Sequence, residues 1–256
     1  MRSGRIKRWP GQEFPKAILR WVRRHWERVT WWPPVGAVRF GSLRRLAPVS
    51  RTFGLDRGTC IDRYYIEAFL AGNARDIHGH VLEIGDDSYT RKFGDGRVVQ
   101  SDVLHLRAGN PKATLVADLT KARDIPSDTF DCIILTQTLQ FIYDVRAALS
   151  HLYRILKPGG VLLATMPGIS QISRYDMDRW GDYWRFTTLS ARRLFQEIFP
   201  QSNVTVRAYG NVLTAVAFLE GLAVSELKRE ELDHLDADYE LLIAVRAVKP
   251  ERALCE

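Results

Sequence analysis

Val81-Leu82-Glu83-Ile84-Gly85 opens a series of short segments whose reading decides the fold of this chain. Val98-Val99-Gln100-Ser101-Asp102 follows, then Ala113-Thr114-Leu115-Val116-Ala117-Asp118, then Phe130-Asp131-Cys132-Ile133-Ile134-Leu135, and the series closes on Leu156-Lys157-Pro158-Gly159-Gly160. Short apolar runs, each ended by a polar residue or glycine, are the pattern of parallel strands buried on both faces. Ligands of such sheets bind beyond the carboxyl ends of the strands, where Gly85, Asp102 and Asp118 are expected to stand. One close backbone approach and two carboxylates suit a ligand with a ribose and an adenine.

The flanking sequence alternates in the same way. Asp62–Ala71 reads as a helix closed by Gly72-Asn73, and Val161–Met166 as a fifth strand. Ala191–Phe199 is expected to be a helix, Asn203–Arg207 a strand, Asn211–Leu222 a helix and Tyr239–Val248 a final strand. Alternation of this kind implies an α/β fold, a parallel sheet with helices on both faces joined by right-handed crossovers.

At these residues the chain resembles a class I S-adenosylmethionine-dependent methyltransferase of the kind called type 11. Val81–Gly85 is similar to that family's first motif, and Leu156–Gly160 to the signature before its fifth strand. Asp182-Tyr183-Trp184-Arg185-Phe186-Thr187 is similar to a tract found after that strand in some members. The likeness runs from about Ile61 to Val248, and several motifs in the right order are far more specific than one. The resemblance implies a Rossmann-like, doubly wound, mostly parallel seven-stranded sheet with an antiparallel last strand. It implies S-adenosyl-L-methionine as cofactor, held by Glu83, Gly85, Asp86, Asp87, Asp102, Val103, Asp118, Leu119, Gln137 and Thr138. In that scheme Asp102 chelates the ribose hydroxyls, Asp118 meets the adenine amine, and Leu119 packs on the adenine. Glu83 orders the loop, and Gln137 and Thr138 line the methionine end.

The chain departs from that family in one place. A second and third glycine usually follow Gly85, and here Asp87 and Tyr89 stand in their positions. Glycines there let a backbone approach a ligand without a side-chain clash. Asp86 and Asp87 would instead accept from an ammonium or repel a carboxylate, and Tyr89 would cover the ligand or fill its place.

Methyl transfer from a sulfonium needs the acceptor atom held at roughly 3–3.5 Å and in line, and no protein nucleophile. A hydroxyl acceptor also needs a base. Where relatives place a Glu and a His after the fourth strand, this chain has Gln140 and Phe141. The candidate bases are Asp176 and Asp182, in the loop after the fifth strand, and His105, after the second. A solvated carboxylate or a surface histidine is the competing reading of each. Arg63 and Tyr64, on the helix before the first strand, come within reach of the same mouth. No His, Cys or carboxylate spacing marks a metal site.

The net charge of +7 is unevenly distributed. Residues 1–60 hold 14 Lys and Arg against 3 Asp and Glu, while the remainder holds 23 against 27. Five of the seven tryptophans also lie in residues 1–60: Trp9, Trp21, Trp26, Trp31 and Trp32. Lys16–Val29 reads as an amphipathic helix with Ile18, Val22, Trp26 and Val29 on one side, ended by Trp31-Trp32-Pro33-Pro34. The expected division is a basic extension over residues 1–57 and a catalytic-type domain over 58–250. A basic helix with tryptophan on its apolar side suits packing on the body or an anionic membrane surface through residues 16–32. Three widely separated cysteines, Cys60, Cys132 and Cys255, suggest no disulfide framework, and no apolar run reaches a membrane span. A cytoplasmic location, with contact to the inner face of a membrane, is the expectation.

The leading function is methyl transfer to a small molecule, glycan or lipid-linked precursor. Two alternatives are a non-catalytic methyltransferase-like scaffold or membrane-associated module, motivated by Asp87 and Tyr89, and an RNA methyltransferase using the basic extension. The mildly acidic body and the absence of an RNA-binding motif count against nucleic acid.

Overall fold

The computed structural model describes residues 33–252. The strands are β1 (Gly79–Ile84), β2 (Val98–His105), β3 (Leu115–Val116), β4 (Phe130–Thr136), β5 (Leu156–Pro167), β6 (Val204–Tyr209) and β7 (Leu242–Val248). The helices among the described residues are α1 (Ile61–Gly72), α2 (Ser88–Gly94), α3 (Val145–Ile155), α4 (Arg174–Met177), α5 (Thr188–Gln196), α6 (Val212–Leu219) and α7 (Arg229–Asp233).

Cys132, Ile133, Ile134 and Leu135 of β4 are all fully buried, a run that only a strand covered on both faces can hold. β4 accordingly lies in the middle of one seven-stranded sheet, in the order β3-β2-β1-β4-β5-β7-β6. β1 pairs in parallel with β2 and β4, β4 with β5, and β2 with β3. β7 runs antiparallel between β5 and β6. This is the doubly wound, mostly parallel sheet with an antiparallel last strand that the resemblance implied.

Side chains along each strand alternate between two cores. Leu82, Ile133, Leu135 and Leu162 join Leu149 and Leu152 of α3 and Phe195 of α5 in one. Val81, Cys132, Ile134 and Leu163 join Tyr65, Ile66 and Phe69 of α1 and Phe218 of α6 in the other. Local caps close the helices: Asp144 accepts from the Ala147 amide, Thr187 and Ser190 form a capping box, and so do Asn211 and Thr214. The expected end of α1 at Gly72-Asn73 holds, with the Asn73 side-chain Nδ2 donating to the Phe69 carbonyl at 2.8 Å.

Several strands differ in extent from the expectation, among them β3, which is only Leu115–Val116, β6 and β7; two of the differences bear on the site. β2 continues three residues beyond Asp102, to His105, because Val103 and Leu104 are buried and remain paired with Glu83 and Ile84. The Leu156–Gly160 signature lies inside β5 rather than ahead of it, accommodated by a register irregularity between Phe130 and Cys132.

The chain divides into two compact units between Leu46 and Ala47. In the first, the described residues from 33 carry one 3-10 turn, Gly41–Leu43. The helix expected over Lys16–Val29, with Trp9, Trp21, Trp26, Trp31 and Trp32 and the membrane contact of residues 16–32, lies outside the described residues, as does Cys255. No helix among the described residues is long and apolar enough to cross a membrane.

The second unit begins with a segment tied to its own far end. The Ser50 amide donates to the Glu220 carbonyl at 3.0 Å, and the Val224 amide to the Thr59 carbonyl at 2.8 Å. Phe53, at a left-handed φ of 59°, lays its ring 5.8 Å from that of Phe218. The contact depends on Gly221, where φ is 70° and a Cβ would collide with the Ser50 backbone. Gly221→Ala is therefore expected to lower stability by about 1–3 kcal/mol in urea titrations. It should also speed tryptic cleavage after Arg51 and Arg57, as this segment lifts from the body.

Candidate active site

The carboxyl end of β1 is built around one buried acid. Glu83 is 2% exposed, and its carboxylate accepts from the Tyr89 amide at 3.1 Å, the Thr90 amide at 2.7 Å and the Thr90 hydroxyl at 2.7 Å. Burial pushes the Glu83 carboxyl above its ordinary range, against the Thr90 and Tyr89 hydrogen bonds that favour its charge. The acid thereby fastens the first turn of α2 to the strand and fixes the loop between them. Gly85 turns that loop at φ 87°, where a Cβ would meet no atom within 4 Å. Its amide donates to the Leu104 carbonyl at 3.0 Å, and its carbonyl accepts from Asn110 at 2.6 Å. Asp86 accepts from the Ser88 amide and hydroxyl. Those bonds, with Lys112, outweigh burial and hold its carboxyl below the usual range.

Gly85 opens onto a cavity of about 780 Å³, a size suited to a small organic ligand. Its inner wall is the ends of β1 and β4: Glu83, Ile84, Gly85, Thr136, Gln137 and Gln140. Gln137 stands at φ 46°, an uncommon conformation for a residue other than glycine and one that clusters at functional sites. Its amide is anchored to the Thr165 carbonyl at 2.9 Å. The Gln137 side-chain oxygen accepts from the Gln140 amide nitrogen at 3.1 Å. The Gln140 side-chain oxygen is buried with no partner among the described residues, a group that folding leaves unsatisfied only at a cost.

The outer wall comes from distant segments: residues 51–53, Asp62 and Arg63 at the start of α1, Ser170, Gln171 and residues 173–176, with Phe218 and Leu241. Asp182 and Arg185 hold the loop after β5 in place. Their two parallel hydrogen bonds measure 2.6 and 3.0 Å, and Arg185 also donates to the Gln171 carbonyl at 2.7 Å. The neighbouring Tyr183 amide donates to the Gln140 carbonyl at 2.8 Å, and the Trp184 indole to the Ile142 carbonyl at 3.0 Å. The Asp182–Thr187 tract is thus a brace between the loop after β5 and the turn after β4. Burial pushes the Asp62 carboxyl up, and the polar contact it makes is with the Arg63 amide at 2.8 Å.

The structure brings Glu83, Gly85, Asp86 and Gln137 together in the cavity wall, with Asp176 and Asp182 across from them. Asp87, Asp102, Val103, Asp118, Leu119, Thr138 and His105 do not line it. Asp87 is turned to Arg91 on α2. Asp118 caps its own turn, accepting from the Thr120 amide and hydroxyl at 2.8 Å each, while Val103 and Leu119 are core. The resemblance gives Asp102 the ribose hydroxyls, and β2 runs three residues past it, to His105. Asp102 pairs with Leu82, and its carboxylate binds His80 at 2.6 Å and the Thr114 hydroxyl at 2.7 Å. His105 stands at the end of β2 instead, one residue past the pairing of Ile84 with Leu104. Its ring lies edge-on to Trp180 at 5.6 Å. Arg51, Phe53, Asp62 and Phe218 line the cavity without any local sequence signal. Only the fold brings them there.

The topology, the site at the strand ends and the sequence match agree on a class. Residues 90–164 match the family model described as a methyltransferase domain, Methyltransf_11. The fold is that of a class I S-adenosylmethionine-dependent methyltransferase. The ubiquinone/menaquinone biosynthesis C-methyltransferase UbiE of Enterobacter sp. (strain 638) is 35% identical over 104 residues, which are 34% of this chain and 41% of that protein. The UbiE of Pectobacterium carotovorum subsp. carotovorum (strain PC1) is 43% identical over 100 residues, 33% of this chain and 40% of that one. The chain thus spans about two fifths of the length of these curated relatives. Among solved structures, a SAM-dependent methyltransferase from Archaeoglobus fulgidus aligns with a TM-score of 0.49 at 13% identity, over 73% of this chain and 94% of that one. The family match begins at Thr90, so the Gly85–Tyr89 loop lies outside it.

Hydrogen bonds from Thr114 and His80, working against burial, hold the Asp102 carboxyl below its ordinary range. A lowered value means stability present above the unfolded pKa and lost as pH falls through the folded one. Asp102→Asn should therefore lower the unfolding free energy by about 1–3 kcal/mol at neutral pH. The difference from the parent should close in urea titrations below about pH 4.

Proposed function

We propose that this chain is an S-adenosylmethionine-dependent methyltransferase whose acceptor is a small organic molecule with an apolar body. The observation that carries the reading is the cavity at the carboxyl ends of β1 and β4, with open space above Gly85 and an unpartnered buried oxygen on Gln140. Both features fit a cofactor with a polar amino-acid end. Gly85, Asp86, Gln137 and Gln140 would hold that end, and the cofactor when bound would supply the methyl group on a sulfonium.

The protein's part is to hold and orient an acceptor and to manage its proton. Phe53, Phe141, Phe218 and Leu241 give the outer half an apolar lining for an aromatic or lipid-like body. The quinone pathway in the names of the curated relatives is in keeping with such an acceptor. Glycan and lipid-linked precursors stay within the same reading. For a hydroxyl or carbon acceptor, Asp62 is the carboxylate best suited to take the proton. Asp182 is committed to Arg185, and Asp176 accepts from Ser173, while Asp62 lines the cavity and, among the described residues, accepts only from the Arg63 amide.

The scaffold alternative rested on Asp87 and Tyr89 in the places of the glycines; Asp87 is turned to Arg91, and Tyr89 lines the cavity. Tyr89 is 6% exposed, its ring 6.3 Å from that of Phe93 within the core beneath α1. Isothermal titration with S-adenosylmethionine and S-adenosylhomocysteine tests the reading. Micromolar binding is expected, and Gly85→Val should weaken it at least tenfold by placing a side chain in the open space. No binding of either compound would return the chain to the scaffold alternative.

A further inference from the structure

Four arginines line the cavity, and two of them are spent on the protein. Arg185 is paired with Asp182, and Arg63 donates to the Tyr89 hydroxyl at 2.6 Å. Arg51 and Arg174, both exposed on the outer wall, form no ion pair among the described residues. The Arg174 Nη1 rests on the Met177 sulfur at 3.2 Å, a weak acceptor that leaves the charge of the guanidinium unanswered. The acids of the cavity are engaged elsewhere. Glu83 holds the amides of α2, Asp182 holds Arg185, and Asp86 lies with Ser88 and Lys112. Asp176 accepts from the Ser173 hydroxyl at 2.5 Å, and Asp62 from the Arg63 amide.

Both arginines stand on segments that are braced and bonded to each other. The Gln171 side-chain nitrogen donates to the Arg51 carbonyl at 3.0 Å, and Arg185 donates to the Gln171 carbonyl at 2.7 Å. The Thr52 amide donates to the Ser50 hydroxyl oxygen at 3.1 Å, which fixes the turn after Arg51. The same two segments contribute the exposed Leu55 and Tyr175 to the wall. The outer half is therefore an apolar chamber that carries two cations and no acid committed to them. A cleft that presents unanswered charge of one sign draws a ligand of the other.

We propose that Arg51 and Arg174 recognise an anionic group, a carboxylate or a phosphate ester, at one end of the acceptor, whose apolar body lies against Phe53 and Phe218. The proposal rests on the methyltransferase reading above and narrows its substrate class to amphiphilic organic acids. Anchoring one end of such a molecule at the outer wall leaves its other end directed to the strand ends, where the methyl group would be delivered. Arginine suits the task because its planar fork matches a carboxylate or phosphate and keeps its charge at all working pH. Two guanidinia on separate segments also fix the direction of the anion, which a single exposed cation does not.

The test is calorimetry on the full chain saturated with S-adenosylhomocysteine, titrated with 1-naphthyl phosphate, 1-naphthoate and the neutral 1-naphthalenemethanol. One anion or both should bind about tenfold more tightly than the neutral compound, and the tighter of the two names the group. Arg51→Gln and Arg174→Gln should each weaken that anion by roughly fivefold to twentyfold, below the full value of a charge-assisted hydrogen bond because the rim is wet. Arg51→Lys and Arg174→Lys should recover part of the loss. All four variants should leave S-adenosylhomocysteine and 1-naphthalenemethanol within about twofold, a split that a structural role would not give. Equal binding of the three compounds by the parent overturns the proposal, and so does binding of none of them. Unchanged anion binding in the Arg51→Gln, Arg174→Gln double variant also overturns it. If that double variant instead loses sedimentation with phosphatidylglycerol vesicles, the two arginines belong to a membrane surface. A parent that fails to bind S-adenosylhomocysteine removes the methyltransferase reading and the proposal with it. Cofactor binding without a preference for the anions removes the proposal alone.

Discussion

Glu83 is the constraint on which the rest of the site depends. A carboxylate buried at the end of a central strand is costly unless its oxygens are satisfied. Three donors from the first turn of α2 satisfy them. That bargain dictates the path of the chain: the strand must stop, Gly85 must turn with a positive φ, and α2 must start where its amides face back. Everything near the loop inherits this geometry, including Asn110 on the Gly85 carbonyl and Tyr89 directed toward α1.

The cavity is assembled from pieces that the chain supplies far apart. Its inner half belongs to strand ends and would exist in any sheet of this topology. Its outer half is held by specific contacts: Ser50 on Glu220, Phe53 on Phe218, and the Asp182–Arg185 pair bracing the loop after β5. The inner half hangs on the ends of the central strands β1 and β4. The outer half rests on loops and one N-terminal segment, whose packing can vary without disturbing the sheet. The family match, residues 90–164, covers Thr136, Gln137 and Gln140 of the inner wall and none of the segments forming the outer wall.

Several parts of this arrangement were legible from residues alone. The strands β1 and β4 were readable because both faces are buried, so the apolar run is continuous. Gly85 was readable because a glycine closing such a run marks a turn at a ligand face. The role of Asp102 was not. A polar residue normally ends a buried strand, but here His80 and Thr114 satisfy Asp102 within the sheet, and the strand runs on to His105. Tyr89 was ambiguous for a related reason: a tyrosine has an apolar ring and a polar tip, and the sequence does not say which of them meets the cavity.

The buried strands and the turn at Gly85 follow from the local pattern of apolar and small residues, while the order of the strands is set by the tertiary structure. Periodic burial and backbone freedom are properties each segment carries in its own composition. The composition of the cavity was decided only in three dimensions. Arg51, Phe53, Asp62, Gln140 and Phe218 meet around it because separate segments fold onto the ends of the sheet. Whether a polar group there is free for a ligand depends on its neighbours. Glu83 and Asp182 are spent on the protein, while the Gln140 oxygen has no partner among the described residues, and only the tertiary structure makes that difference.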